Sequence, residues 1–108
     1  MEYIKIAKAN NAKFVLGTPT WRASSEWAVK NGYTEEQVHE ANANCVKLLR
    51  ELLAEQGLES PIAGTGGPRH DAYKVTPTTV EDAEAYHSKQ IAALKAAGAD
   101  FMSFYTMN

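Results

Sequence analysis

Arg69, His70 and Asp71 stand side by side in a glycine- and proline-rich segment, Gly64-Thr65-Gly66-Gly67-Pro68. Packing gives little reason to put three charged or titratable groups together in a long loop, whereas binding and proton chemistry do. The same loop can cradle an anion on the backbone N–H groups of Gly66, Gly67 and Arg69; no phosphate-loop Lys with Ser or Thr follows, so a plain turn is the other reading. Cys45 lies on the apolar stripe of a helix, where a free cysteine packs as a small hydrophobe. His87 falls on the inward side of its helix with no His, Cys or carboxylate at clear metal spacing, which makes it structural, and His39, next to Glu40, is expected in solvent. Trp21 and Trp27 are expected to fill hydrophobic gaps, and Met102 and Met107 to lie in the core.

The elements that must position these groups are legible from periodicity. Glu2 to Asn11 has the spacing of a helix with Ile4, Ala7 and Lys8 on one face, and Phe14 to Gly17 is a short apolar strand. Thr18-Pro19-Thr20 breaks it. Ser24 to Asn31 is a short helix with Ser24 as N-cap and Gly32 as its stop. Thr34 and Gln37 form a capping box for a long helix whose stripe is Val38, Ala41, Cys45, Leu48, Leu49 and Leu52, ending at Gln56 and Gly57. Pro61 to Gly64 is the next strand, followed by a loop from Thr65 to Pro77. Thr78 and Glu81 make a second capping box, and Val80, Ala83, His87, Ile91 and Leu94 mark the inward face of a helix up to Gly98. Phe101 to Met107 is a buried strand with nothing after it to cover it, as expected of a piece of a larger α/β protein.

Composition bounds what such a chain can be. The 108 residues are 44% hydrophobic and 22% charged, ordinary for one domain. At this size roughly 65% of the unfolded surface is buried, leaving a margin of only ~5–10 kcal/mol. A net charge of −2 with both signs scattered argues against nucleic acid and anionic membrane. One cysteine excludes an internal disulfide and suits a reducing, cytoplasmic compartment, and no run approaches the ~18 apolar residues of a membrane span.

Strands alternating with helices imply a parallel sheet, and Lys8, Ala9, Ala12 and Phe14 recur in register as Lys95, Ala96, Ala99 and Phe101, a repeat of two βα units. The fold class is α/β, with about three parallel strands and intervening helices. Units of about 40 residues suit a (β/α)8 barrel or a doubly wound sheet. No Gly-x-Gly-x-x-Gly follows any strand, so a doubly wound nucleotide binder is the weaker of the two.

Three motifs are more particular. Thr18-Pro19-Thr20-Trp21-Arg22-Ala23-Ser24, Gly64 to Tyr73, and Tyr86-His87 through Ala97-Gly98-Ala99-Asp100 resemble the homocysteine S-methyltransferase family over essentially the whole chain. The resemblance implies a partial TIM barrel: the first helix, the second, third and fourth strands, and the helices between them, as a single incomplete domain over 1–108. It also implies methyl transfer to the thiol of homocysteine, forming methionine or a similar thioether, with zinc held by three cysteines on later strands, beyond Asn108. Zinc makes chemical sense, because only the thiolate attacks a methyl donor well and a coordinating ion deprotonates the thiol at neutral pH. Lacking those cysteines, this chain alone is expected to be inactive and to supply the wall of a pocket for a small thiol and its methyl donor. The candidates after the first strand are Thr18, Thr20 and Arg22; after the second, Gly66, Arg69, His70 and Asp71; after the third, Tyr105, Thr106 and Asn108. Barrel loops open on one face, where these would converge. Many family members carry Glu in a Phe-Glu-Thr pattern that holds the homocysteine amine; Phe104-Tyr105-Thr106 stands there, and Tyr105 carries no negative charge at pH 7. Either another residue binds the amine or the substrate differs. The alternative function is a non-catalytic binding or assembly module that completes its barrel with a second chain or as a homodimer.

Overall fold

The structure is a computed structural model and describes residues 1–107; Asn108, one of the expected site residues, lies outside them. The elements are α1 (Glu2–Ala9), β1 (Leu16–Gly17), α2 (Ser25–Lys30), α3 (Glu35–Glu55), β2 (Ile62–Gly66), α4 (Val80–Ala96) and β3 (Phe101–Phe104). The strands form one parallel sheet in the order β1-β2-β3. Leu16 pairs with Ile62, and Ala63 to Gly66 pair one-to-one with Phe101 to Phe104. Each crossover advances the sheet by one position without reversal, which is the progression of a barrel wall; a doubly wound sheet reverses direction. The α/β architecture with three parallel strands therefore stands.

Local chemistry sets the helix ends. At the start of α3, the Gln37 N–H donates to Thr34 Oγ1 at 3.1 Å and the Thr34 N–H to Gln37 Oε1 at 2.9 Å, the expected capping box. α4 begins one residue later than expected: Thr79 caps it, accepting from the Asp82 N–H at 3.1 Å. Thr78 and Thr79 offer the same hydroxyl, so the sequence around them does not choose between the two. Ser24 stands at the N-cap of α2 but makes no capping bond; its hydroxyl pairs with the Tyr86 hydroxyl at 2.7 Å instead.

Val46, Leu53, Ile62 and Leu94 form the buried core, with Phe14, Leu16, Leu49, Leu58, Ala97, Ala99 and Met102 packed against it. α3 is rotated from its expected stripe: Val38, Asn42, Val46 and Leu53 face inward, while Leu48 is exposed. The inward row of α4 is Tyr86, Gln90 and Leu94, and Val80 lies in solvent. Apolar periodicity missed this rotation because the faces in contact are partly polar. Gln90 donates to the Thr20 carbonyl at 2.7 Å and to Asn42 Oδ1 at 3.2 Å, and Asn42 donates to the Ala23 and Val38 carbonyls at 2.7 Å each. Two buried amides whose donors are satisfied can replace apolar contact without the cost of an orphaned polar group.

The strands also depart from expectation. β1 has two residues, since Val15 is exposed and Phe14 packs sideways on the core; β2 runs on to Gly66, two residues further than expected. β3 ends at Phe104 and is not buried: Phe101, Phe104, Tyr105 and Met107 are exposed, so Met107 is not a core residue, while Met102 is. Among the described residues, β3 is paired along one edge only.

Candidate site at the strand ends

Beyond the C-terminal ends of β1 and β2, three threonines close a ring. The Thr65 N–H donates to Thr18 Oγ1 at 2.9 Å, and Thr20 Oγ1 donates to the Thr65 carbonyl at 2.7 Å. The Thr20 proton is thereby used, so Thr18 is the donor in the 2.6 Å contact between the two hydroxyls. Both threonines are buried, and their hydroxyls are engaged in holding the two strand ends together.

The chain leaving this ring presents Trp21 and Arg22. The Arg22 guanidinium lies between two indoles, its central carbon 4.6 Å from the Trp21 ring centroid and 4.4 Å from that of Trp27. The tryptophans therefore clamp an arginine, rather than plugging apolar gaps. Trp27 Nε1 also donates to the Arg69 carbonyl at 3.0 Å, and Trp21 Nε1 makes a long bond of 3.4 Å to the Tyr105 carbonyl. Clamped in this way, Arg22 has little to bond: Nη2 reaches the His70 carbonyl at 3.4 Å, and Nε is buried without a partner.

Arg69 is arranged differently. Its Nε donates to Glu26 at 2.8 Å, and its guanidinium stacks on Tyr86 at 4.7 Å. Glu26 also accepts from Lys30 at 2.8 Å, and the two cations, Arg69 first, hold its carboxyl down to about 2. His87 lies edge-on to Tyr86 and Phe104, at 5.1 and 5.9 Å, with a buried Nδ1 that has no partner. Burial, helped by the nearby Arg69 charge, lowers its pKa. His70 is half-buried, and Asp71 accepts the Tyr73 N–H at 2.8 Å in a turn. His39, expected in solvent, is half-buried, lies 3.5 Å from Glu35, and its Nδ1 is buried without a partner.

Two glycines permit this assembly. A Cβ on Gly66 would stand 2.4 Å from the Phe104 ring, and one on Gly67 would stand 2.4 Å from the Trp21 ring and 2.7 Å from the Trp21 carbonyl. The Tyr105 N–H donates to the Gly66 carbonyl at 3.2 Å, and Thr106 takes a left-handed φ of 56°, uncommon for a β-branched residue. The structure thus links Thr18, Thr20, Arg22, Gly66, Arg69, His70 and Tyr105 through direct contacts at one end of the sheet. Tyr105 and Thr106 are exposed. The sequence reading gave no role to Glu26, Asn42 and Gln90, and placed Tyr86 only within a family motif. The spacing of Glu26 and Lys30, four apart on a helix, was the one available signal among them.

A further concavity lies elsewhere. A cavity of about 840 Å³ opens at the N-terminal ends of the strands, lined by Arg50, Leu53, Leu58, Ser60, Pro61 and Asp100 among others. None of the expected site residues lines it, and in parallel α/β barrels that end serves stability while chemistry sits at the other. No group of three His, Cys, Asp or Glu side chains among the described residues is placed to hold a metal ion. Cys45 is half-buried on α3, with a thiol pKa raised by burial, so the residues present do not fit the zinc site that the resemblance implies.

A parallel sheet that advances strand by strand, with helices between its strands, is the arrangement of part of a (β/α)8 barrel wall. The chain belongs to the homocysteine S-methyltransferase family, whose model matches residues 1–108. Among solved structures it is similar to the metallated form of the homocysteine methyltransferase MmuM from Escherichia coli. The match has a TM-score of 0.75 and 27% identity over 89% of this chain and 38% of that one. The chain therefore spans well under half the length of that relative. A comparison with curated proteins found no match. No helix among the described residues is long and apolar enough to cross a membrane.

Proposed function

We propose that the residues at the strand ends form one wall of the site of a thiol methyltransferase that methylates homocysteine to methionine or a similar thioether. The observation that carries this reading is the gathering of Arg22, Arg69, His70 and Tyr105 at the C-terminal end of a sheet whose sequence belongs throughout to that family. The contacts support the following roles on this reading. The threonine ring fixes the ends of β1 and β2, the aromatic clamp and the Glu26 carboxylate orient the two arginines, and Gly66 and Gly67 let the walls approach. Thr18, Thr20, Gly66, His70, Asp71 and Thr106 shape or line the pocket, and Arg22, Arg69 and Tyr105 meet the substrate. Deprotonation of the thiol is assigned to no residue here, because the described side chains include no ligand set for the family's zinc, and residues 1–108 by themselves are inactive.

The test is to read the coding DNA beyond Asn108 and assay the product of the whole reading frame with homocysteine and a methyl-labelled sulfonium donor. Labelled methionine from the whole product and none from residues 1–108 is expected. A whole product that methylates no homocysteine overturns the reading, and turnover by residues 1–108 overturns the inactivity of this part. The alternative is an assembly role, in which a second chain would cover the exposed Phe101, Phe104, Tyr105 and Met107. A stable monomer in sedimentation, at concentrations well above those in cells, overturns it.

A further inference from the structure

Arg22 has no anionic partner among the described residues. Among the described residues it takes part in no ion pair; its one hydrogen bond is the 3.4 Å contact to the His70 carbonyl, and Nε is buried with none. A guanidinium carries five donors, and leaving most of them unused beside buried surface is costly unless something else fills them. The neighbouring charges do not fill them. Glu26, the carboxylate seen among the clamp residues, is taken by Arg69 and Lys30. Both indoles lie against the guanidinium, with its central carbon 4.6 and 4.4 Å from their ring centroids, so what it has left to offer is its N–H groups, and a planar guanidinium suits a carboxylate. The end of β3 adds Tyr105, a phenol rather than a carboxylate to meet an amine.

We infer that Arg22, clamped between Trp21 and Trp27, binds the carboxylate of a thiol acid and sets the specificity of the site for the anionic end of its ligand. The inference rests on the methyl-transfer reading only for the thiol at the other end of that ligand. It makes the carboxylate the main point of recognition on this wall, with the amine contributing little.

The experiment compares three thiols by calorimetry and by the fluorescence of the two clamping tryptophans in the full chain: homocysteine, 4-mercaptobutyrate, which lacks the amine, and 3-aminopropane-1-thiol, which lacks the carboxylate. Both carboxylates should bind, and the aminothiol at least about tenfold more weakly; Arg22→Gln should weaken both carboxylates by about tenfold or more and leave the aminothiol unchanged. No binding of 4-mercaptobutyrate, or equal binding to wild type and R22Q, overturns the inference. Should R22Q fail to fold, the wild-type chain still decides: 4-mercaptobutyrate should slow phenylglyoxal modification of Arg22, mapped by mass spectrometry, and an unaltered rate overturns the inference. Methyl transfer by the whole reading frame is scored separately. Its absence alongside Arg22-dependent carboxylate binding defeats the enzyme reading only, while turnover with an unaltered R22Q affinity defeats this one only.

Discussion

Each end of the sheet holds an arginine that spans several elements, and the two are treated in opposite ways. At the N-terminal end, Arg50 donates to Asp100 at 2.7 Å, to the Gly98 carbonyl at 2.9 Å and to the Ser60 carbonyl at 3.5 Å, while Asp100 also accepts the Ile62 N–H at 2.7 Å. Each partner there belongs to the chain itself, tying α3 to the turns before β2 and β3. At the C-terminal end, Arg22 is held by aromatic faces that restrict its position while leaving its donors open. Arg50 and Arg22 thus differ in one respect: the first spends its donors on partners inside the chain, and the second is held by aromatic rings that leave most of its donors open.

The largest expected effect tests the stabilising end. Leu53→Ala empties core beside the lower cavity and should cost about 2–5 kcal/mol in chemical denaturation, while leaving thiol-acid affinity unchanged in the fraction that is folded. A loss of affinity with it would erase the distinction between the ends. Next is Gly67→Ala, whose methyl meets the Trp21 ring and carbonyl; it should cost about 1–3 kcal/mol and shift the tryptophan emission, because the clamp must move. An unshifted spectrum would show that the clamp is looser than its contacts imply.

Thr20→Val keeps the shape and removes the hydroxyl, leaving the Thr18 hydroxyl and the Thr65 carbonyl short of a partner. About 1–2 kcal/mol of destabilisation by thermal melting is expected. The smallest effect is in the pH profile. His87 has a pKa below its ordinary 6.5, so the unfolded chain binds the proton first and stability should decline as pH falls below that value, a decline that His87→Leu should remove. Glu26, held at about 2 against an ordinary 4.5, contributes stability that is fully present above 4.5 and lost as pH falls toward 2; Asp100 is lowered in the same direction. Melting temperatures across pH 2–8 check both, and Glu26→Gln should reduce the lower step, to which Asp100 and Glu35 also contribute, and leave the upper one.

Much of the frame was legible because it follows from local rules. The Thr34–Gln37 box, the glycine stops and the alternation of apolar strands with long helices each act within a few residues of themselves. What escaped depends on contacts between residues far apart. The rotation of α3 and α4 follows from Asn42 and Gln90, polar residues that periodicity assigns to the outside and that the Thr20 and Ala23 carbonyls draw in. The clamp on Arg22 escaped for the same reason: Trp21 and Trp27 look like core by composition, and only their placement on either side of one guanidinium gives them another use. The charged loop was singled out by residue type, whereas the Glu26 anchor of its Arg69 sits 43 positions away.

The threonine ring has a consequence for how the sheet is aligned. A strand of two residues has too few ladder bonds to resist sliding along its neighbour, and a slip of one residue would turn every side chain to the wrong face. Any such slip must open the two bonds that tie Thr18 and Thr20 to the backbone of Thr65, because both cross from the end of β1 to β2. The ring therefore acts as a pawl: it lets β1 be brief while keeping it in one notch against β2, and so holds the indole clamp that follows at a set height above the sheet.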